Sequence, residues 1–295
     1  QSNLSFTIRR CTHAKIKPND SNDQAKLSPE ILKKATQLRV VARHGVGYDN
    51  VPVDVLSQNK TPLATTGDAN AVTVAEHTFY LILTLAKRGR EFDTAVRDGE
   101  WESRNTLQGS ELFGKNLLLV GFGRIGREVG KRALAFGMQL HVYDPFVDEQ
   151  QVGAAGAVYV KDLDTFLPKT DFLSLHLPYT PKNHHIIGHE ELRALPSSAY
   201  VINTARGGLI DEDELFKALE SGNLAGAGLD CFEQEPPSNN LKLLNSGSVI
   251  VSPHNASLTA ECTRRLGLVC VENVVDALTG CLKKERVVNW DAVHA

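Results

Sequence analysis

The chain changes texture near Lys115. Before it, apolar stretches are short and broken by polar loops. After it, apolar runs alternate with amphipathic segments at regular intervals. In the first part, Ser28-Pro29-Glu30 is a helix start, with Ser as N-cap and Pro at the first helical position, and predicts a helix to about residue 36. "LRVVAR" (38–43) predicts a strand, "HGVGYDN" (44–50) a glycine turn, and "TPLATTG" (61–67) a second short strand. Over residues 70–88 the pattern is helical, with Val74, Phe79, Leu81, Ile82, Leu85 and Ala86 on a broad apolar face. "RDGEWESRN" (97–105) reads as a polar loop around Trp101.

In the second part, "NLLLVGFG" runs without a polar break into glycines, as in a strand covered on both faces. Helices are predicted over 124–136, 163–167, 189–195 and 212–221. Strands are predicted over 139–143, 172–177, 199–204 and 226–231 and in "VIVS" (249–252). Strands alternating with helices mean a parallel sheet with helices on both faces, an α/β fold. A last helix, 258–278, is long enough to cross between two domains. There is no internal repeat.

At 295 residues the chain is long enough for two domains sharing a cleft. A formal charge of -3 leaves no polybasic footprint, which argues against nucleic acid and against an anionic membrane surface. No apolar run reaches membrane-spanning length, and no signal-peptide pattern is visible. Gln1-Ser2-Asn3 reads as the remnant of a cleaved tag, and 17–26 as a polar loop. The five cysteines form no CxxC pair and no zinc spacing, so no metal is expected. Scattered and odd in number, they read as free thiols in a reducing compartment, the cytosol.

Gly121-Phe-Gly-Arg-Ile-Gly126 matches GxGxxG in the context that pattern requires: after a buried strand, opening a helix, with Asp144 at the end of the next strand. Gly121 permits the tight turn, Gly123 the approach of a pyrophosphate, and Gly126 close helix–strand packing. The helix N-terminus offers free N–H groups to phosphates. Asp144 is placed to accept hydrogen bonds from ribose hydroxyls and to repel a 2'-phosphate. "YDPFVDE" around it carries acids and no base, so NAD is expected over NADP.

"GFGRIG", "VYDP", "VINTARGGLIDEDEL", "GAGLDCFEQEPP" and "VSPHNAS", in this order, resemble the D-2-hydroxyacid dehydrogenase family, which includes phosphoglycerate, lactate-type and glyoxylate/hydroxypyruvate enzymes. "RHGVGYDNV" and "NAVTVAEHT" extend the likeness over roughly residues 40–289. The resemblance implies a Rossmann-type doubly wound sheet over 70–257. It also implies a smaller flavodoxin-like substrate domain, formed by 1–69 and the returning 258–295. "FTIRRCTHAKI" (6–16) resembles the strand and loop before the "LSPEIL" helix, so this domain is expected to be N-terminally incomplete. Arg9-Arg10, where small polar residues are common, reads as a surface pair, with an anion contact left open.

The resemblance also implies roles. Arg206 binds the substrate carboxylate, Glu235 pairs with the catalytic His254, and Asp230 lies near the nicotinamide end. Backbone N–H groups of Gly45, Val46 and Gly47 hold the carboxylate from the other domain, and Arg124, Ile125 and Thr204 join the cofactor site. The implied reaction interconverts a small D-2-hydroxy acid and its 2-keto acid, with NAD as cofactor and His254 as acid/base. The implied assembly is a homodimer joined through an arm at 88–112 that includes Trp101. An NADH-sensing, corepressor-like regulator and a phosphite-oxidising relative are the alternatives. Formate dehydrogenase is disfavoured, because that relative pairs its histidine with an amide. His44, His184 and His185 match no catalytic position and read as surface or loop residues. Cys231, where the family often has Val, reads as packing. Leu118 replaces a frequent glycine in a strand that tolerates it.

Overall fold

A computed structural model describes residues 27–294. The expectations for Gln1-Ser2-Asn3, Arg9-Arg10, Cys11 and the 6–16 and 17–26 stretches lie outside the described residues.

The first helix among the described residues, α1 (Pro29–Lys34), starts as the sequence predicts, with the Ser28 hydroxyl accepting from the Glu30 N–H at 3.2 Å. Strand β1 (Val41–Ala42), helix α2 (Val53–Gln58) and strand β2 (Leu63–Ala64) follow. β1 and β2 pair in parallel, and Leu32, Val51, Leu56 and Leu63 form a small apolar cluster beside them. The sequence reading misses α2, a single six-residue segment that buries only Leu56 and so has no visible period.

α3 (Ala71–Ala86) buries the predicted face, and its Leu81 lies so close to Gly228 that a Cβ there would be 2.9 Å from its own. The expected polar loop around Trp101 is largely helical: α4 (Gly89–Arg97) is followed by a 3-10 turn, Trp101–Asn105. α4 buries only Ala95, so it lacks the apolar stripe by which helices are recognised. Its exposed face carries an Asp93–Arg97 pair at i,i+4 spacing.

Beyond it the elements alternate: β3 (Asn116–Val120), α5 (Arg124–Ala135), β4 (Gln139–Tyr143), α6 (Glu149–Ala154), β5 (Val158–Tyr159), α7 (Leu163–Phe166), β6 (Phe172–Leu175), α8 (His189–Ala194), β7 (Tyr200–Asn203), α9 (Glu212–Glu220), β8 (Gly226–Leu229) and β9 (Val249–Val251). All but α6 and β5 are predicted. Those two escape because each is short, and α6 buries only Val152. The seven strands pair in parallel in the order β5-β4-β3-β6-β7-β8-β9, the doubly wound Rossmann arrangement expected. The direction of winding reverses between β3 and β6, where such sheets bind ligands. Registers align Tyr143, Val120, Leu175, Asn203, Leu229 and Val251 in one row across the sheet. Leu118 is fully buried in β3.

α10 (Ala260–Thr279) is capped by the Thr259 hydroxyl and ended by Gly280 at φ +77°. It returns to the small sheet, where Asn273 Nδ2 donates to Thr65 O at 2.8 Å. The chain then runs antiparallel along β2, with Val288 N–H donating to Leu63 O at 2.9 Å, before α11 (Trp290–His294). Among the described residues no helix is long and apolar enough to cross a membrane.

Asn289 fastens this return. Its Oδ1 accepts from Leu63 N–H at 2.9 Å, and its Nδ2 donates to Thr61 O at 3.0 Å, both buried bonds. Asn289→Ala strands a buried donor and a buried acceptor, and is expected to destabilise by about 2–4 kcal/mol. Urea unfolding of the two proteins measures the difference, and a change below about 0.5 kcal/mol counts against this role.

Candidate active site

The glycine turn after β3 is built by close approach. Gly121 has φ +99°, and a Cβ there would lie 2.6 Å from His176 O. A Cβ at Gly126 would lie 2.3 Å from Gly121 O, whereas Gly123 faces open space. α5 begins one residue later, so its first N–H groups have no partner within the helix. Asp144, immediately after β4, is tied to this turn: Oδ2 accepts from Phe122 N–H at 2.7 Å and Oδ1 from Phe146 N–H at 2.9 Å. Both oxygens keep a lone pair for a ligand hydroxyl. A cradle that side chains would fill, beside a fixed carboxylate, fits a dinucleotide.

At the same edge of the sheet, β7 leads to Arg206, β8 to Asp230 and β9 to His254. A Cβ at Gly207 would lie 1.9 Å from Phe232 C, so backbone packs on backbone and draws Arg206 toward the Glu235 loop. His254 Nδ1 is 2.7 Å from Glu235 Oε2, and Glu235 Oε1 accepts from Phe232 N–H at 3.1 Å. The hydrogen bond to Glu235 raises the His254 pKa above its ordinary value. Burial and Arg206 oppose the rise, and the charges of Glu235 and Asp230 add to it. Burial works against the Glu235 charge, but the His254 bond and charge, the Phe232 N–H and Arg206 together hold its pKa below the usual range. The pair therefore favours imidazolium and carboxylate.

His254 has φ +50°, uncommon for a side chain with a Cβ. Fully buried Asp230 fixes the turn: it accepts from Ser252 Oγ at 2.6 Å, Asn255 N–H at 2.9 Å and Ala256 N–H at 3.0 Å.

The opposite wall comes from the β1–α2 turn. Gly45 has φ +140°, and a Cβ at Gly47 would lie 1.7 Å from Arg206 Nη2. Arg206 Nε donates to Asp49 Oδ2 at 2.7 Å and Nη1 to Ala205 O at 2.6 Å. Arg43 Nε donates to Gly47 O. Burial lowers the Arg43 pKa, the like charge of Arg206 lowers it further, and Asp49 partly offsets both. Two guanidinium groups thus crowd one carboxylate.

Two adjoining hollows, about 480 and 590 Å³, share Val46, Gly47, Arg206 and His254. Gly45 and Glu235 line the first; Arg124, Ile125, Thr204 and Asp230 line the second. Gly121, Gly123, Gly126 and Asp144 line neither and lie around the glycine turn beyond Arg124.

Several residues of the site escape the sequence reading. His176 follows β6 and lines the larger hollow, as His254 follows β9; the same signal, a ring just past a buried strand, marks both. Burial pushes the His176 pKa down to about 3, and its Nε2 is 2.8 Å from Ser174 Oγ. Tyr179 and His184 face the smaller hollow, so His184 is a cleft residue and not simply a surface one. His185 sits between Asp211 and Glu233, with Nε2 3.0 Å from Glu233 Oε1, bracing the loop that carries Glu235. His44 is exposed.

Cys231, Glu235 and His254 offer ligand atoms within 4.8 Å of one another, the one such trio among the described residues. Burial, with the charges of Asp230 and Glu235, pushes the Cys231 thiol far up, and it donates to Ala205 O at 3.4 Å. In the protein as described, the Cys231 thiol packs against Ala205 O, and Glu235 and His254 spend their facing atoms on one another.

An all-parallel doubly wound sheet with a glycine turn and an acid at the next strand end defines a dinucleotide-binding α/β protein. The chain belongs to the D-isomer specific 2-hydroxyacid dehydrogenase family, whose NAD binding domain matches residues 79–256. It is 39% identical to a D-3-phosphoglycerate dehydrogenase of Methanocaldococcus jannaschii, over 90% of this chain and 50% of that protein. A hydroxypyruvate reductase of Thermotoga maritima is 40% identical, over 86% of this chain and 82% of that one. The chain thus spans half the length of the first relative and most of the second. The structure of a D-lactate dehydrogenase from Aquifex aeolicus complexed with NAD and lactic acid is similar at TM-score 0.82 and 32% identity, covering 90% of this chain and 84% of that one. NAD is the cofactor of this domain.

Asp144→Ala is expected to narrow the preference for NADH over NADPH. The loss of contacts worth about 1–3 kcal/mol corresponds to roughly 5- to 150-fold in NADH affinity. Fluorescence titration with both cofactors measures it; an unchanged ratio of affinities removes Asp144 from cofactor selection.

Proposed function

We propose that this protein is an NAD-dependent oxidoreductase that interconverts a small D-2-hydroxy acid and its 2-keto acid. The observation that carries the reading is the 2.7 Å His254–Glu235 pair, lining the same cleft as Arg206 and the first residues of α5. In this reading residues 70–257 form the cofactor domain. Residues 1–69 and 258–295 form the substrate domain, and the cleft lies between the two.

When bound, NAD supplies or takes up the hydride at its nicotinamide ring. Arg206 holds the substrate carboxylate and draws electron density from the keto oxygen, while backbone N–H groups of Gly45, Val46 and Gly47 hold the carboxylate from the other wall. Asp49 occupies, on Arg206, the place an incoming carboxylate would take. The half-buried like charge of Arg43 adds to the attraction for an anion. Glu235 keeps His254 protonated, so that in reduction the ring donates its proton to the alkoxide oxygen as it forms. In oxidation the neutral ring accepts the hydroxyl proton. Arg124, Ile125, Thr204 and Asp230 line the cofactor side. The same reading includes a cytosolic setting suited to free thiols. It also includes a homodimer joined through the 88–112 arm, where Val96 and Trp101 are exposed.

The test is NADH oxidation with glyoxylate, hydroxypyruvate, pyruvate, phosphohydroxypyruvate and branched-chain 2-keto acids; no turnover with any of them overturns the reading. His254→Ala is expected to lower kcat by roughly 10²- to 10⁴-fold while leaving NADH affinity unchanged. Reduction needs the imidazolium, so the rate falls as pH rises through the His254 pKa, which Glu235 raises. Glu235→Gln keeps an acceptor but removes the charge, and is expected to move that basic limb to lower pH. A pH profile identical to wild type would falsify the pairing.

Arg206→Lys replaces a planar fork by a point charge, and is expected to lower kcat/KM far more than its unchanged charge suggests. Steady-state kinetics close to wild type would free Arg206 from carboxylate binding.

A further inference from the structure

His77, in the "NAVTVAEHT" stretch of α3, takes no part in the chemistry above, yet it reaches the catalytic turn. Its Nε2 is 2.8 Å from Ser252 Oγ and 3.5 Å from Asp230 Oδ1. Ser252 spends its single proton on Asp230 Oδ1 at 2.6 Å, so toward His77 it offers only a lone pair. Nε2 must then carry a proton and donate it. Burial lowers the His77 pKa and the Asp230 charge offsets this only in part, so the ring is neutral at ordinary pH and its one N–H is the one aimed at Ser252.

The far end of this chain of bonds is His254 itself. Asp230 accepts from Ser252, two residues before His254, and from the N–H groups of Asn255 and Ala256 just after it. His254 N–H donates to Ser252 O at 3.1 Å. The left-handed backbone of His254 is thus gripped on both sides by one buried carboxylate, and Ser252 links that carboxylate to α3. A turn held at φ +50° against its own preference needs such over-determination.

We infer that His77 is a positioning residue for the acid/base. By donating through Nε2 to Ser252, it completes the clamp that sets His254 against Glu235. The inference rests on the reading of His254 as the acid/base. The ionisable groups facing His254 are Glu235, Arg206 and Asp230; those facing His77 are Asp230 and the ring of Tyr80. The Tyr80 contact, with centroids 5.4 Å apart, offers the rival role of packing alone.

The experiment compares His77→Leu, His77→Gln and Ser252→Ala with wild type in the pH profile of keto-acid reduction, with NADH affinity as the control for folding. His77→Leu is expected to lower kcat by roughly 10- to 100-fold, the usual cost of a small misplacement. It should also move the basic limb to lower pH, because a loosened His254 loses part of its bond to Glu235. Ser252→Ala breaks the same link one atom later and is expected to move the limb the same way. His77→Gln carries an N–H donor at the reach of Nε2 and is expected to restore the wild-type limb. If His77→Leu and Ser252→Ala lower only the melting temperature and leave kcat and the limb in place, His77 is packing and the inference falls. Failure of the underlying reading looks different: wild type without turnover, or a basic limb that survives in His254→Ala.

Discussion

Parallel hydrogen bonding brings one whole wall of the site to a single edge. Tyr143, Val120, Leu175, Asn203, Leu229 and Val251 share a single row of the sheet. The residues just past that row are Asp144, Gly121, His176, Thr204, Asp230 and Ser252, with Arg206 and His254 two further on. In a parallel sheet all strands point the same way, so their carboxyl ends must gather. A slip of one residue in any strand would turn its side chains to the other face and withdraw one of these groups. The site is therefore a property of register before it is a property of loops.

Once gathered, the groups are held by charge. Fully buried Asp230 takes three hydrogen bonds from the β9 turn, and Glu235 takes one from Phe232 N–H and one from His254. Asp49 binds Arg206 from the opposite wall. Each acid thus has a cation or an N–H donor against it, the condition under which burying a carboxylate is tolerable. The arrangement also places the like charges of Arg43 and Arg206 near one another, and Asp49 partly offsets them.

The sequence carries those parts of the site that sit in consecutive residues. GxGxxG needs only Gly121, Gly123 and Gly126 at fixed spacing, and the long apolar runs of β3, β6 and β7 announce themselves. His254 is legible through the likeness of "VSPHNAS" to the family, whereas the sequence reading misses His176 although "FLSLH" places it after a buried strand just as "VIVSPH" places His254. What stays hidden is what depends on distant partners. Nothing near Arg43 or Asp49 in the chain points to Arg206. His77 lies in the middle of α3 and acquires meaning only through Ser252 and Asp230. α4 has no apolar stripe, and β5 has two residues, too few for a period of two to show.

The stitch between Leu63 and Asn289 bears on the order in which the molecule can assemble. The two residues are 226 positions apart. At the usual pace of a ribosome, about 5–20 residues per second, the partner of β2 emerges on the order of 10–50 s after β2 itself. All seven strands of the large sheet are synthesised within that interval, and each pairs with neighbours already made or soon to come. The early segment can pair β1 with β2 and gather Leu32, Val51, Leu56 and Leu63, but the other edge of β2 waits for Val288 and Asn289. A nascent chain of this protein thus carries a completed sheet and an unfinished beginning. It is the beginning, not the sheet, that a chaperone has reason to guard.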